Sequence, residues 1–489
     1  MTEQIAHPDR GAAPYPGATR EYGGRVRWLA LFVVLLATFM DLMDVTIVGV
    51  ALPKIQNDLG AAYSTGQWMV AGYALSYALT LVTGGRLGDI AGRRKVFMTG
   101  VAGFTIASAV AGAALTPSML ITARVAQGAF GGVMVPQVMS VIATQFAPGR
   151  ERTTAFSLYG VLLGIAQVSG PVLGGVLTGY SAWRMIFYIN VPIGIFALIG
   201  AARWMKESAS DHPLRLDIPG VLLIGAASLL LCFPLVQGRE QGWPPWSVAA
   251  MAAATPMLII FVWYERRRER RNTTPLVPTH LFARRSFSAG LILMIVLFSG
   301  VSCYFMLLTW ALQFGLGWTP LHLAITSLAW PAGIACTAQL TNRHGHRHGR
   351  RLVGTGTTLM AIGTALLAGV VARYGNGLTS GEIVPCMFLS GLGMGLTIPI
   401  LSNLVLGDVP ADDAGAASGV LNSVVQIGGA MGVALAGVIF FGGARAQAEL
   451  GAAPRTLAYC VAVFVLAGLL SPLLPRQAAA LPGGPAVQP

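Results

Sequence analysis

Fourteen apolar stretches, each about as long as a helix that crosses a bilayer, divide this sequence. A spanning helix needs about 20 mostly apolar residues. Only 10% of the 489 residues are charged, whereas soluble domains carry about 25%. Segments of a membrane β-barrel are about half as long and alternate in polarity, so the pattern predicts an all-α polytopic membrane protein. The predicted spans lie near 28–50, 67–84, 96–115, 118–141, 154–178, 185–205, 218–237, 246–264, 287–311, 320–341, 352–372, 383–405, 414–440 and 456–474.

The net charge of +13 is distributed unevenly along the chain. If the N-terminus is cytoplasmic, 25 of the 32 Lys and Arg residues fall on inside segments and six fall on outside loops. This asymmetry follows the positive-inside rule. It predicts that both termini are cytoplasmic, and it argues against a nucleic-acid-binding surface. The histidine-rich loop HGHRH (344–348) has no acidic or cysteine companion, so we expect no metal and no cofactor.

Two weak motifs occur in both halves of the chain. LGDIAGRR (87–94) and LTNRHGHR (340–347) share the spacing of a polar residue and a glycine after a leucine. A Gly, Gly, Pro pattern at intervals of four occurs at 128–136 and again at 391–399. Internal repeats are typical of secondary transporters, whose substrate site lies near the bilayer midplane. We therefore predict a disordered tail at 1–27, a six-helix bundle at 28–206, a two-helix insert with cytoplasmic linkers at 207–285, a second six-helix bundle at 286–475 and a disordered tail at 476–489.

The first predicted span contains two aspartates, Asp41 and Asp44. A carboxylate at mid-bilayer depth costs about 2.5–3.5 kcal/mol on insertion scales, and such residues often mark proton or substrate pathways. Arg124 lies within the fourth predicted span and retains its proton, so it needs a partner. Because the two acids are three residues apart, both can face one side of a helix. Which of the two carries a proton stays open at this point, and a static salt bridge around Arg124 is the alternative.

Five motifs stand out in the first half of the chain. They are DLMDVTIVGVALP (41–53), GGRLGDIAGRRK (84–95), RVAQGAFGG (124–132), GIAQVSGPVLGG (164–175) and WRMIFYINVPIG (183–194). Together they resemble signatures of the major facilitator superfamily, in particular its fourteen-span drug:proton antiporters. One departure is Gly49, where the span 1 pattern of that family has asparagine.

The resemblance implies a major facilitator fold of two six-helix bundles plus two extra helices, with fourteen transmembrane helices. It also places spans 1 and 4 side by side, which favours a buried cluster of Arg124 with Asp44 or Asp41. The span 5 motif implies an antiporter gate, where glycines allow close helix packing and a proline bends the helix. A purely structural kink at the proline is the alternative. The residues of this motif are Gly164, Gly170, Pro171, Gly174 and Gly175.

A conformational gate is predicted on the cytoplasmic side. The segment GDVPADDAGAASG (407–419) is acidic, whereas the other inside loops are basic. In the family fold this segment faces the loop between spans 2 and 3, so we expect Arg93 or Arg94 to pair with Asp412 or Asp413 when the cytoplasmic side is closed. Simple helix capping by these acids is the alternative. The other residues assigned to the gate are Gly85, Asp89 and Gly92.

Polar, aromatic and methionine side chains inside the predicted spans are candidates for a central substrate cavity. Methionine offers an adaptable apolar surface for varied ligands. For each residue, ordinary packing is the alternative to ligand contact. The candidates are Met40, Tyr73, Met134, Gln137, Gln167, Tyr304, Trp310, Gln313, Asn403, Asn422 and Gln426.

We interpret the chain as a proton-coupled exporter of amphipathic or lipophilic small molecules, such as drugs or antibiotics, in the cytoplasmic membrane of a bacterium. It has no Gly-x-x-x-x-Gly-Lys-Ser/Thr loop, so the proton gradient is the expected source of energy, and we expect a transporter rather than an enzyme. The expected partners are a small-molecule substrate, protons and the lipid bilayer, and we expect a monomer. A proton-coupled importer of a small metabolite and a non-transporting membrane receptor are the alternatives.

Overall fold

The computed structural model describes residues 24–146, 150–180, 182–207, 217–238, 241–271, 279–406, 409, 414–440 and 453–475. Most of the predicted disordered tails at 1–27 and 476–489 therefore lies outside the described residues. The prediction is wrong for residues 24–27, which form the start of the first helix. The described chain is helical. Its α-helices are α1 Gly24–Leu59, α2 Tyr63–Ala91, α3 Arg93–Gly112, α4 Pro117–Gln145, α5 Arg150–Tyr180, α6 Met185–Tyr188, α7 Asn190–Trp204, α8 Ile218–Gln237, α9 Pro245–Arg270, α10 Arg285–Trp310, α11 Pro320–Ser327, α12 Ala329–Tyr374, α13 Ser380–Leu406, α14 Ala414–Phe440 and α15 Ala453–Leu470.

Eleven helical segments in the described residues are long and apolar enough to cross a membrane. The predicted spans 67–84 and 154–178 are not among these segments, but they fall on α2 and α5, which are 29 and 31 residues long. Gly, Ser, Thr and Tyr residues within α2 lower its hydropathy. In α5, the side chains of several residues lie outside the described part of the chain. The predicted span 320–341 falls on α11 and the first part of α12.

The connection between the predicted spans 320–341 and 352–372 differs from the expected loop. The chain is helical throughout Ala329–Tyr374, and the break is a kink at His348, where φ is −127° and ψ is 23°. The basic segment that we expected to form a loop is therefore mostly helical. A single non-helical residue is enough to change the direction of the axis.

Local sequence signals explain where several helices begin. Thr116 and Thr319 precede a proline, and their side chains accept hydrogen bonds from the backbone N–H groups of Met119 and His322, at 3.3 and 3.2 Å. A threonine cap followed by proline at the first helical position is a common start signal. Between α2 and α3 the turn is a single residue, Gly92, with φ of +100°, which favours glycine.

The helices form two groups joined by an insert. In the first group α1 packs on α5 and α7, α2 packs on α4, and α3 packs on α4 and α7. In the second, α12 packs on α13 and α15, and α10 packs on α14 and α15. The two groups meet where α14 packs on α2 and where α11 packs on α5. The insert helices α8 and α9 pack on each other, and α8 also contacts α2 and α14.

Candidate functional site

A buried ion pair joins α1 to α4. Nη1 of Arg124 donates a hydrogen bond to Oδ2 of Asp44, and both side chains are almost fully shielded from solvent. Nε of the same guanidinium donates to the backbone carbonyl of Met69 in α2, at 3.1 Å. The structure thus gives the predicted intramembrane arginine an acidic partner, and that partner is Asp44.

Two amide side chains complete the surroundings of Asp44. Its Oδ1 accepts hydrogen bonds from Nε2 of Gln127 at 3.1 Å and from Nδ2 of Asn190 at 2.8 Å. The same two amides also donate to Oγ of Ser108, at 2.7 and 3.3 Å. All of these side chains are buried. Asp44 of α1 therefore binds one charged and two neutral donors from α4 and α7, and Ser108 joins α3 to the same network.

Asp41 has a different environment one helical turn away. Its Oδ1 accepts a hydrogen bond from the Tyr73 hydroxyl at 2.6 Å, and its side chain is buried. The ring of Tyr73 lies under the guanidinium of Arg124, with Cζ 4.3 Å from the ring centroid. Tyr73 therefore links the two acids. Its hydroxyl donates to Asp41, and its ring packs on Arg124, the ion-pair partner of Asp44.

Apolar and aromatic side chains surround the Asp41 carboxylate. Tyr73 stacks on Tyr77, with ring centroids 5.9 Å apart, and these rings form a buried cluster with Met40, Leu81 and Phe104. Within the described part of the chain, Asp44 has three hydrogen-bond donors including a cation, and Asp41 has one neutral donor. An uncompensated charge is costly in such a place, and a buried carboxyl group can avoid that cost by binding a proton. The arrangement thus provides one fixed ion pair and one carboxyl group suited to exchange a proton.

Gly131 in α4 lies against this carboxylate. A Cβ atom at this position would lie 2.6 Å from Oδ1 of Asp41 and 3.3 Å from the Tyr73 hydroxyl. A glycine here gives the acid and its donor the room that they occupy, and it lets α4 approach α1 and α2 closely.

Gly131→Ala should therefore displace the Asp41 carboxylate from Tyr73. We expect at least a tenfold loss of substrate-dependent proton release in everted vesicles, together with a loss of stability of about 1–3 kcal/mol from overpacking. Gly49→Ala is the matched control. Gly49 also lies in a helix of the first bundle, α1, but a Cβ atom added there would have no neighbour within 4 Å. Equal activity of the two variants would contradict this assignment of Gly131.

The glycines of the span 5 motif lie at two helix contacts. Gly170 and Gly174 pack on α1, where added Cβ atoms would lie 3.0 Å from the Met43 carbonyl oxygen and 2.9 Å from Cγ1 of Ile47. Gly175 packs on α11 of the second bundle, where a Cβ atom would lie 2.7 Å from Cα of Leu321. Pro171 and Gly164 lie within α5. The motif therefore places α5 between the helix of the two acids and the second bundle.

Further contacts join the two bundles at the same end of the molecule. Nε2 of Gln67 in α2 donates to the Val433 carbonyl of α14 at 2.9 Å, and Nε2 of Gln313 donates to the Val50 carbonyl of α1 at 2.8 Å. Nearer the middle, Oγ of Ser423 donates to the carbonyl of Ala78 at 2.9 Å. The bundles thus touch at the end where α1 ends and α2 begins.

The predicted gate loop lies at the opposite end of the molecule, where α2 ends and α3 begins. It contacts Glu207. The Glu207 carboxylate accepts hydrogen bonds from the backbone N–H groups of Arg94 and Lys95 at 3.0 and 3.2 Å, and so caps the first turn of α3. Nη2 of Arg94 donates to the Ala202 carbonyl at 2.7 Å. A Cβ atom at Gly92 would displace the Glu207 carboxylate from its present position, and the positive φ of this turn favours glycine.

The rest of the predicted gate is only partly described. Gly85 lies against Pro136 of α4, with 3.6 Å between the Cβ that it lacks and that of the proline. Arg93 is half-buried at the start of α3. Asp412, Asp413 and the side chain of Asp89 lie outside the described residues.

The candidate cavity residues are found in several different environments. Tyr304 packs on Trp330 at 5.1 Å and Trp310 on Phe440 at 5.8 Å, and both are fully buried in the second bundle. Met40 and Met134 are also fully buried.

Gln137 is buried and donates from Nε2 to the Gly84 carbonyl at 2.7 Å, which links α4 to α2. The side chains of Asn403 and Asn422 are exposed and that of Gln426 is half-buried, whereas the side chain of Gln167 lies outside the described residues. Among the described residues, no group of three His, Cys, Asp or Glu side chains is arranged to hold a metal ion.

The sequence reasoning missed Gln127, Asn190, Ser108 and Gly131. Two of them had a usable signal. Gln127 is three residues after Arg124 and so shares its helix face, and Asn190 is a polar residue inside an otherwise apolar motif. Ser108 carries no comparable signal, because serine is common in helices that cross membranes.

The sequence profile of the Major Facilitator Superfamily matches residues 34–433. The "Probable actinorhodin transporter" of Streptomyces coelicolor is 40% identical over 457 residues, which cover 92% of this chain and 78% of the relative. The "Puromycin resistance protein pur8" of Streptomyces alboniger is 32% identical, covering 95% and 93%. The "Cephamycin export protein CmcT" of Amycolatopsis lactamdurans is 35% identical, covering 93% and 94%.

A solved structure agrees with the fold. A POT family transporter in complex with 5-aminolevulinic acid has a TM-score of 0.67 at 14% sequence identity, covering 94% of this chain and 98% of that protein. At that identity the similarity concerns the fold alone. The match over residues 34–433, the relatives at 32–40% identity and the helical architecture lead to one conclusion. The chain is a multi-pass membrane protein and belongs to the Major Facilitator Superfamily.

Proposed function

We propose that this chain exports amphipathic or lipophilic small molecules, antibiotics among them, in exchange for protons. Relatives named for actinorhodin transport, puromycin resistance and cephamycin export support this proposal, because each is similar over at least 92% of this chain. The observation that carries the proton coupling is the position of Asp41. It is a buried acid with a neutral hydroxyl as its described donor, next to an ion pair that is already complete.

In this proposal the two aspartates have separate tasks. Asp44 holds Arg124, Gln127 and Asn190 in place and remains charged. Asp41 takes a proton from the outside and releases it to the cytoplasm. Arg124 connects the two acids. Its guanidinium pairs with Asp44 and lies over the ring of Tyr73, whose hydroxyl donates to Asp41. The static salt bridge and the proton carrier, which were alternatives for one pair of acids, are thus assigned to different residues.

The contacts between the bundles suggest which side is closed. With both termini in the cytoplasm, the end at which Gln67, Gln313 and Gly175 join the bundles faces outside. We infer that the outer gate is closed in this structure. That gate would open when α5 and α11 move apart and the contact at Gly175 is lost. The cytoplasmic side would then close when Arg93 or Arg94 pairs with Asp412 or Asp413.

The proposed topology has fourteen transmembrane helices and places both termini in the cytoplasm. The first bundle comprises residues 28–206, the insert 207–285 and the second bundle 286–475. We propose that the transporter acts as a monomer, because one chain supplies both acids and all of their described donors. The candidate substrate contacts are those cavity residues with accessible side chains, namely Asn403, Asn422 and Gln426.

Expression in a host that lacks its own drug pumps tests the export function. Growth is measured against a panel of amphipathic antibiotics, and an active compound is then added to everted vesicles whose lumen has been acidified by respiration. An antiporter should give resistance to the compound and release protons from the lumen when the compound is added. Proton movement in the reverse sense would indicate import, and resistance without any proton movement would contradict the coupling.

A further inference from the structure

The insert helix α8 covers the line along which the two bundles meet. Cys232 of α8 is fully buried in a cluster with Ala71 and Leu75 of α2 and with Ala430 of α14. At one end of α8, Phe233 packs on Trp68 of α2, with ring centroids 5.7 Å apart. The insert therefore contacts a helix from each bundle, and α2 and α14 are helices that alternating access must move relative to each other.

A buried charge cluster lies at the other end of the insert. Asp217 and Glu265 are both 0% exposed, although neither belongs to the site described above. Oδ1 of Asp217 accepts hydrogen bonds from the Arg268 guanidinium at 3.0 Å, from the Tyr264 hydroxyl at 2.9 Å and from the backbone N–H of Gly220 at 3.1 Å. These bonds fix the start of α8 to the end of α9.

The same cluster extends to the first bundle through Arg86. This arginine belongs to the gate loop motif of α2, and it lies close enough to Glu265, Asp217 and Arg268 to interact electrostatically with each of them. The cluster therefore contains two acids and two guanidinium groups, with Arg86 contributed by α2 and the other three by the insert. The two buried acids thus have cations beside them, as buried charges require.

Gly220 allows the two acids to come together. A Cβ atom at this position would lie 2.6 Å from Oδ2 of Asp217 and 2.7 Å from Oε1 of Glu265. Both carboxylates therefore lie on the same side of α8 and approach its backbone directly. In the middle of the helix, Gly225 approaches α2 in the same way, with its added Cβ 3.3 Å from Cδ2 of Leu79.

The contacts of α8 with the two bundles thus differ in kind. Toward α2 the described contacts include a buried charge cluster, a close glycine approach and an aromatic pair. Toward α14 the described contacts are apolar, at Ala430 and Met431. Two apolar surfaces can slide past each other without leaving a polar group unpaired. Separating buried charges leaves each charge buried without its partner, which is unfavourable.

We propose that the insert is a moving part of the first bundle, anchored to α2 by the Asp217, Glu265, Arg268 and Arg86 cluster, and that it slides over α14 to keep the seam between the bundles closed to lipid. Such a seal would matter to a transporter of lipophilic molecules, because an open seam would let lipid enter the pathway. This inference rests on the proposed alternation between two states, although not on proton coupling by Asp41.

Distances between spin labels test which bundle the insert follows. Val262 in α9, Thr99 in α3 and Thr355 in α12 are exposed, and each can be replaced by cysteine in a Cys336→Ser background. Pulsed electron resonance is recorded in nanodiscs at acidic and at alkaline pH. The distance from Thr99 to Thr355 reports the switch. When it changes, we expect the Val262 to Thr355 distance to change and the Val262 to Thr99 distance to stay constant. A constant Val262 to Thr355 distance would overturn the proposal.

A second comparison tests the anchor without requiring a switch. Asp217→Asn with Glu265→Gln should broaden the Val262 to Thr99 distance distribution at least twofold, because it removes both acids of the insert that interact electrostatically with Arg86. Glu269→Gln is the matched control, since Glu269 is also in α9 but bonds Thr279 and His280 of the following linker. An unbroadened distribution in the double variant, or equal broadening in the control, would overturn the anchor. A constant Thr99 to Thr355 distance beside a broadened double variant would count against the proposed function and not against the anchor.

Discussion

Asp41→Asn should reduce substrate-dependent proton release in everted vesicles to the background of vesicles that lack the protein. The asparagine side chain fills nearly the same volume and can still accept the hydrogen bond from Tyr73, but it cannot exchange a proton. We expect the variant to bind substrate and to let it equilibrate across the membrane, and to lose the ability to concentrate it. In growth assays, resistance should fall to that of the host alone.

Two further variants distinguish loss of the proton site from general damage. Asp41→Glu keeps a titratable group at the same place and should retain part of the proton release. Asp58→Asn removes an acid at the outer end of the same helix, where the side chain is 51% exposed, and should leave coupling intact. Full proton release by Asp41→Asn would contradict the assignment of Asp41.

Arg124→Ala should cause the largest loss of stability of any single substitution in the site. It leaves Asp44 buried in the charged form without its cation, and removal of one partner from a buried pair costs about 3–5 kcal/mol. We expect a marked fall in the melting temperature of the detergent-solubilised protein and in its yield from membranes, measured by fluorescence-detected size-exclusion chromatography after heating.

A double-mutant cycle identifies the origin of that loss. Arg124→Gln combined with Asp44→Asn removes both charges and leaves groups that can still bond each other, together with Gln127 and Asn190. The double variant should therefore be more stable than Arg124→Gln alone, with a coupling energy of about 0.5–3 kcal/mol. Additive effects of the two substitutions would contradict the view that Asp44 and Arg124 form a structural pair.

Much of the architecture could be predicted because hydropathy and charge act on whole segments. The predicted family is confirmed by the match over residues 34–433. A long apolar run must be helical in a bilayer, since each backbone group needs an internal partner there. The connection at His348 was predicted less well. A basic segment with histidines and a glycine is typical of a loop, yet this one is helical except at His348.

The chemistry of the two acids could be foreseen only in part. Asp41, Asp44 and Arg124 were identifiable because charged groups are rare within apolar spans. Which acid pairs with the arginine depends on the rotation of α1 against α4 and on Gln127 and Asn190, and none of these follows from spacing along one chain. The pairing of Arg124 with Asp44 is therefore known only from the structure.

The substrate cavity was the least predictable feature. Tyr304 and Trp310 were selected for their chemistry, yet both are buried in the packing of the second bundle. An aromatic side chain fits a helix interface as well as it fits a ligand, and its type does not tell which face of the helix it occupies. The insert cluster illustrates the converse, since Asp217 and Glu265 lie near predicted helix ends and look like ordinary solvated acids in the sequence.

Infrared difference spectroscopy tests the central claim most directly, since it detects the protonated carboxyl group itself. The purified protein in lipid is exposed to a compound to which it confers resistance, and the carbonyl band of protonated carboxylic acids is followed. The band should decrease on addition of compound in the wild-type protein and in Asp44→Asn, and this change should be missing in Asp41→Asn. A decrease that persists in Asp41→Asn and disappears in Asp44→Asn would contradict the account.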